Sequence, residues 1–189
     1  IEAQRKVIDK FNASNVPFYP ILSDVSHGYT MTKLTEMLHK QKGHDAILFL
    51  DIDCVPVNEC AIDYMFKQAY AGKLIGDAQR SNHIENDQHV FAGAHNICFS
   101  METYEKIGSP SFDPTARGDV AEELTFKAEE ANIPVEIIMP IRFDAPPIRM
   151  EWETNAEPFW RLADGMPHYG IGTTFGNDKG ELFWHNYHI

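Results

Sequence analysis

Two aspartates separated by a single residue stand directly after a short apolar run. Asp51 and Asp53 follow Ala46–Leu50 (AILFL), a run that is typical of a strand buried on both faces. In open α/β sheets the ligand site lies beyond the carboxyl ends of the strands. Two carboxylates held this close repel each other unless a cation lies between them, and Mg²⁺ and Mn²⁺ prefer oxygen ligands. The pair therefore predicts a divalent-cation site, and the plainer alternative is that it caps the helix expected after Asn58.

The charge of the chain limits the partners that we expect. The 189 residues carry a formal net charge of −12 at pH 7. A surface this acidic repels phosphate backbones, so we expect no nucleic-acid partner. A bound cation would screen the site carboxylates from a phosphorylated substrate. No apolar run approaches the roughly 20 residues that span a membrane, and the first residues do not resemble a signal peptide. We therefore expect a cytoplasmic protein without a membrane span.

Helical and strand-like patterns alternate along the chain. The predicted helices cover residues 2–12, 30–38, 59–71, 101–107 and 120–131, and the predicted strands cover 16–22, 46–50, 73–76, 90–100 and 134–140. This alternation predicts an α/β fold with a Rossmann-like central sheet, mixed but mostly parallel and flanked by helices. Because the chain opens with a helix, the first strand of such a fold either lies outside this chain or is the segment 16–22.

Several motifs occur in an order that resembles the GT-A glycosyltransferases. In chain order these motifs are ILFLDID at 47–53, FAGA at 91–94, ICFS at 97–100, ETYEKIG at 102–108, the acidic helix start at Asp119 and WHN at 184–186. The first looks like the strand and D-x-D motif of that family, and the next three look like its acceptor-side turn, strand and short helix. The resemblance covers roughly residues 16–188 and implies one GT-A domain over residues 1–189.

The resemblance implies a reaction and a metal. Members of the family transfer a sugar from a nucleotide-diphospho-sugar to an acceptor hydroxyl, which here implies a UDP-sugar donor, with a GDP-sugar as the alternative, and a glycan or glycoconjugate acceptor. By the same resemblance Asp53 binds the metal, Asp51 assists with the metal or the ribose, and His185 is a further ligand. His188, three residues later, is a rival ligand. Carboxylate and imidazole together suit Mn²⁺, with Mg²⁺ as the alternative.

The acceptor side of the predicted site contains a candidate general base. The acid at this point in inverting members of the family implies that Asp119 removes the acceptor proton, with Glu122 and Glu123 as alternatives. Asp119 also fits a plain N-cap of the helix that follows. A retaining enzyme would need no base in this helix.

The donor side of the predicted site rests on four residues besides Asp51. Ser23 and Asp24 follow the predicted strand 16–22, where the family binds the nucleotide. Gly93 and Ala94, in the small-residue turn, are placed with them as donor-binding residues. The plain alternative for Asp24 is a turn residue before the next helix.

A haloacid-dehalogenase-like phosphatase is the main rival interpretation. Its first motif is also an apolar strand followed by D-x-D, with Asp51 in the position of the nucleophile. Against it, Cys54 stands where that family has glycine, and the motif follows two predicted helices. A nucleotidyltransferase would need a glycine-rich, basic phosphate loop near the start of the fold. A carbohydrate-binding module suits the aromatic-rich last forty residues but not the buried strand with D-x-D.

Overall fold

The computed structural model describes residues 1–41, 43–81, 89–144 and 172–186. Its strands are β1 (Ala46–Leu50), β2 (Cys54–Pro56), β3 (Leu74–Arg80), β4 (Val90–Ser100), β5 (Val135–Phe143), β6 (Thr173–Asn177) and β7 (Gly180–His185). Its helices are α1 (Glu2–Phe11), α2 (His27–Gln41), α3 (Ala61–Tyr70), α4 (Met101–Lys106) and α5 (Glu122–Glu130). None of these helices is long and apolar enough to cross a bilayer.

The strands form one mixed sheet in the order β1-β4-β3-β5-β6-β7-β2. Within the described residues only β3 and β5 pair in parallel, and the other five neighbouring pairs are antiparallel. The edge strands β1 and β2 are joined by residues 51–53 alone, so the sheet curls until it is nearly closed. The predicted GT-A class, with a Rossmann-like, mostly parallel sheet flanked by helices, is therefore wrong. An apolar run shows that a strand is buried but not which way its neighbours run.

Strand β4 is the longest of the described strands and contains a bulge of several residues. Gly76 of β3 lies opposite Ile97 of β4, whereas Ala78 lies opposite Ala92. A single residue of β3, Asp77, therefore spans residues 93–96 of β4. A bulge of this kind bends the strand and redirects its side chains, and here it turns them toward the end of β1.

Strand β4 is apolar along almost its whole length because both of its faces are covered. Ile97 and Phe99 belong to a core cluster that also contains residues of α2, α4 and α5. Cys98, which points to the opposite face, packs in a second cluster with residues of α3 and with Phe175 and Phe183. The two clusters pack against opposite faces of the sheet, so the residues beyond the end of β1 follow a strand that is covered on both sides.

Two differences between the predicted elements and the structure concern predicted site residues. Residues 16–22 form no strand, because Pro17 and Pro20 cannot donate the hydrogen bonds of a ladder. The predicted helix 120–131 begins only at Glu122, and its N-cap is Ala121 in the left-handed conformation, with φ of 67°. The prediction that Asp119 caps this helix is therefore wrong.

Candidate metal centre

Three side chains with metal-binding atoms meet where the two edges of the sheet come together. Asp51 and Asp53 lie on the turn between β1 and β2, and His185 is the last residue of β7. Cys54 pairs with His185 in the ladder between β2 and β7, which brings the turn beside the imidazole. One ligand atom from each of the three side chains lies within 4.8 Å of the other two. His185 Nε2 is 3.2 Å from Asp53 Oδ1.

This donor set fits a divalent cation. Two ligand atoms bound at about 2.1 Å and at a right angle stand roughly 3 Å apart, a separation close to that of His185 Nε2 and Asp53 Oδ1. Two carboxylates and one imidazole suit Mn²⁺. Both aspartates are half-buried and so remain accessible on one side, which leaves room for oxygens from water or substrate. The assignment of Asp51, Asp53 and His185 as ligands stays a prediction, and the rival His188 lies outside the described residues.

Each aspartate of the turn has an imidazole partner. His27 Nε2 lies 3.1 Å from Asp51 Oδ1, and this hydrogen bond raises the pKa of His27 above its ordinary value. Burial acts to raise the pKa of Asp53, but the hydrogen bond and the charge of His185 have the opposite effect, and the pKa lies below its ordinary value. The imidazoles thus offset part of the repulsion between the two carboxylates.

The turn itself is held from two sides. The buried side chain of Gln4 in α1 donates to the carbonyl oxygens of Asp51 at 2.5 Å and of Cys54 at 3.0 Å. On the other side the Asp51 N–H donates to the carbonyl oxygen of His95 at 2.9 Å. The position of the two carboxylates is therefore set by α1 and by the bulge in β4.

A buried layer of polar side chains lies beneath the three candidate ligands. The ring of His95 stacks on that of His185, with ring centroids 4.3 Å apart and planes within 3°. His95 Nε2 is 3.8 Å from Asp77 Oδ2. Burial raises the pKa of the Asp77 carboxyl well above its ordinary value, with a smaller opposing effect from Asn96. These residues were not predicted from the sequence, although an aspartate inside the buried strand LIGDAQR was a signal that could have found Asp77.

Gly93 and Ala94 lie in the bulge of β4. A Cβ atom on Gly93 would come within 2.6 Å of His95 Cε1 and 2.8 Å of Gln79 Oε1, so the glycine makes room for the His95 ring. Ala94 is buried in the first core cluster. These contacts explain both small residues by packing, and their predicted role in donor binding stays a prediction.

Ser23 and Asp24 are exposed just before α2, the helix whose first residue is His27. The Ser23 hydroxyl accepts hydrogen bonds from Thr30 Oγ1 at 2.7 Å and from the Val25 N–H at 3.3 Å. The segment therefore leads directly to the residue that contacts Asp51. That Ser23 and Asp24 bind a nucleotide remains a prediction.

The candidate base residues at the start of α5 differ in their exposure. Glu122 is fully buried and accepts hydrogen bonds from the Asp119 N–H at 2.7 Å, from Ser81 Oγ at 2.9 Å and from His89 Nδ1 at 2.7 Å. Arg117 donates to both carboxylate oxygens of Glu123. Asp119 is half-buried, and among the described residues its Oδ1 accepts a hydrogen bond only from the N–H of the next residue, at 2.8 Å. The geometry thus favours Asp119 over the two glutamates as a group that could meet a substrate.

Comparison with known proteins adds one similarity of shape. No family model matches the chain, and no curated protein is significantly similar to it. Among solved structures the chain is similar to one titled "Crystal Structure of A197 from STIV", with 14% sequence identity and a TM-score of 0.46, over 70% of this chain and 74% of that chain. A similarity at this level carries no argument about activity, so the chemistry of the site follows from its own side chains.

Proposed function

We propose that this chain is a divalent-cation-dependent glycosyltransferase that moves a sugar from a nucleotide-diphospho-sugar to an acceptor hydroxyl. One observation carries the proposal: ligand atoms of Asp51, Asp53 and His185 lie within 4.8 Å of one another. Asp53 and His185 are 132 positions apart in the chain, and both belong to motifs whose order resembles that of nucleotide-sugar glycosyltransferases. Their convergence at one point is the arrangement that the reaction needs.

The proposed chemistry begins with the leaving group. A divalent cation held by Asp51, Asp53 and His185 would act as a Lewis acid on the departing diphosphate. The chain's own contribution is to fix the three donor atoms: Gln4 and the His95 carbonyl hold the turn, and the β2–β7 ladder holds the histidine. His27 keeps Asp51 Oδ1 in place through its hydrogen bond.

The acceptor hydroxyl must lose a proton during transfer. In the proposed reaction Asp119 is the base, because it is half-buried and its carboxylate has an oxygen that the described residues do not occupy. Glu122 positions it by accepting a hydrogen bond from its backbone N–H. A well-placed general base contributes roughly 10²- to 10⁴-fold to a rate. The proposal gives Asp119 this role only if the sugar is transferred with inversion.

The deciding experiment is hydrolysis of a panel of UDP- and GDP-sugars with Mn²⁺ and with a chelator. The comparison includes Asp53→Asn, which keeps the side-chain shape, and Asp9→Asn, a control on the exposed face of α1. We expect Mn²⁺-dependent turnover in the unchanged protein and in the control. In Asp53→Asn we expect a loss of at least about 100-fold, since it removes a charged ligand.

Two other results would replace the proposal. If no sugar nucleotide is bound or hydrolysed but simple phosphate esters are cleaved with Mg²⁺, and Asp51→Asn abolishes that cleavage, Asp51 is the nucleophile of a phosphatase. If a glycan binds with no metal and no turnover follows, the chain is a carbohydrate-binding module.

A further inference from the structure

The bulge in β4 has a specific consequence for the candidate metal ligand His185. Because Asp77 alone spans residues 93–96, these residues are released from pairing with β3 and bend toward the end of β1. The carbonyl oxygen of His95 thereby accepts the N–H of Asp51. The side chain of the same residue lies under His185. His95 therefore contacts both the turn that carries Asp51 and the candidate ligand His185.

The two imidazoles form a stack with nearly parallel planes. The ring centroids are 4.3 Å apart, the planes differ by 3°, and both residues are almost completely buried. A ring packed flat against another cannot turn about its Cβ–Cγ bond without losing that contact or meeting its neighbour. The stack therefore fixes the plane of the His185 ring, and with it the direction in which Nε2 points toward Asp53.

The His95 ring is in turn fixed by its own surroundings. Asp77 Oδ2 lies 3.8 Å from its Nε2 and Phe175 packs beside it with ring centroids 5.5 Å apart. Gly93 also adjoins the ring, since a Cβ atom built on this glycine would come within 2.6 Å of it. The His95 imidazole thus lies beside the Asp77 carboxyl and the Phe175 ring, in space that a side chain at residue 93 would otherwise fill.

We propose that His95 is a positioning residue that orients His185 for metal binding through ring stacking. Metal-binding histidines are commonly oriented by a hydrogen bond to the second ring nitrogen, and loss of such outer contacts typically costs 10- to 100-fold in metal affinity. In this chain the stack gives the face of the His185 ring a further orienting contact. The inference rests on the proposed function, because it needs the cation site of Asp51, Asp53 and His185.

The test measures Mn²⁺ itself, on the whole chain and without substrate. Titration followed by electron paramagnetic resonance gives the affinity, and electron spin-echo modulation reports whether an imidazole nitrogen is bound to the ion. The variants are His95→Ala, which removes the stack, His95→Phe, which keeps a flat ring, and Gly93→Ala, which pushes on the ring. His185→Ala supplies the reference for a lost nitrogen signal, and His39→Ala, on an exposed position of α2, is the control.

We expect His95→Ala and Gly93→Ala to bind Mn²⁺ at least about tenfold more weakly and to lose the nitrogen signal. His95→Phe should stay within a few-fold of the unchanged protein and keep the signal, which a general packing defect would not explain. If His95→Ala does not fold, the Mn²⁺ affinities of His95→Phe and Gly93→Ala are compared instead, and the positioning role again requires that only Gly93→Ala binds weakly.

The outcomes separate this inference from the proposed function. Tight Mn²⁺ binding with a nitrogen signal that is unchanged in His95→Ala and in Gly93→Ala overturns the positioning role and leaves the metal centre standing. If His95→Phe and His95→Ala weaken Mn²⁺ binding equally, the positioning role is also overturned, since a flat ring at residue 95 would then not preserve the affinity. An unchanged protein that does not bind Mn²⁺ overturns the proposed function, and the positioning role with it.

Discussion

The partner of a carboxylate decides what that carboxylate can do, as four acidic residues of this chain show. Asp51 and Asp53 are half-buried beside imidazoles, so a cation can compete for their oxygens. Glu122 is sealed among three hydrogen-bond donors and serves to hold the start of α5. Asp77 is completely buried, and this burial raises the pKa of its carboxyl and favours the neutral form. Residue type alone would have treated these four acids alike.

Glu123 gives a pH-dependent prediction that concerns stability. Arg117 donates to its two oxygens at 2.7 and 3.0 Å, and these hydrogen bonds lower the pKa of Glu123 below its ordinary value of 4.5. A lowered pKa in the folded state means that the stabilisation is present above 4.5 and is lost as the pH falls through the folded value. We therefore expect Glu123→Gln to lower the free energy of unfolding by about 1–2 kcal/mol near neutral pH.

The measurement is urea unfolding of Glu123→Gln and the unchanged protein across a series of pH values. The difference between them should shrink steadily below pH 4.5, because the carboxyl of the unchanged protein becomes protonated. Glu59→Gln, at an exposed position, is the control and should show little difference at any pH. A difference that stays constant down to strongly acidic pH would mean that the ion pair with Arg117 is not its cause.

At the level of single residues, the sequence identified as candidates only those side chains that stand next to a recognisable pattern. Asp51 and Asp53 follow a buried strand, and His185 lies in a motif near the end of the motif order. His95 and Gln4 could not be found in this way. Their positions depend on a bulge and on the packing of α1 against β2, which no local pattern encodes.

At the level of elements, apolar runs located four of the described strands, β1, β3, β4 and β5, but did not give their directions. β1 and β4 were predicted at residues 46–50 and 90–100, and both lie there. Both faces of the sheet are covered, by α2, α4 and α5 on one side and by α3 on the other. An antiparallel strand in this setting is as apolar as a parallel one, so the pattern could not distinguish them.

The start of α2 packs closely against the backbone of residues 112–113 at Gly28, and a substitution can test this contact. A Cβ atom on Gly28 would come within 2.7 Å of the Phe112 carbonyl oxygen and 2.8 Å of Asp113 Cα. Both are backbone atoms, so the helix must move rather than a side chain. We expect Gly28→Ala to destabilise the fold by about 1–3 kcal/mol, and to draw His27 away from Asp51.

Thermal unfolding and Mn²⁺ titration of Gly28→Ala check both parts of this expectation, with Lys40→Ala at the exposed end of the same helix as the control. Lower stability together with altered Mn²⁺ affinity would support the link from α2 to the site. A variant as stable as the control would show that residues 112–113 yield easily, and that the contact does not hold the helix.

At the level of the whole molecule, the candidate centre lies where the sheet nearly closes. β1 and β2 are the two ends of the strand order, yet only residues 51–53 separate them in the chain. Because β2 pairs with β7, whose last residue is His185, the pairing of these two strands brings the imidazole beside the turn that carries Asp51 and Asp53. The candidate site thus depends on contacts between distant parts of the chain and not on one motif.

The overall charge gives a last prediction, on the binding of UDP. A chain with a formal charge of −12 and two carboxylates at the site opposes a diphosphate both at long range and locally. We expect UDP to bind at least about tenfold more tightly with Mn²⁺ than with a chelator. Calorimetry measures the affinity for UDP with Mn²⁺ and with the chelator. In Asp53→Asn the same two measurements should give equal affinities.

Salt separates the two sources of repulsion between the chain and UDP. At about 1 M salt the Debye length falls to roughly 3 Å, which screens the net charge but not carboxylates in contact with the ligand. If the pair Asp51 and Asp53 is the barrier, high salt will not restore binding in the chelator, and only Mn²⁺ will. If high salt alone restores binding, the net charge is the barrier. UDP that binds equally well with chelator and with Mn²⁺ would mean that the diphosphate is not held at these aspartates.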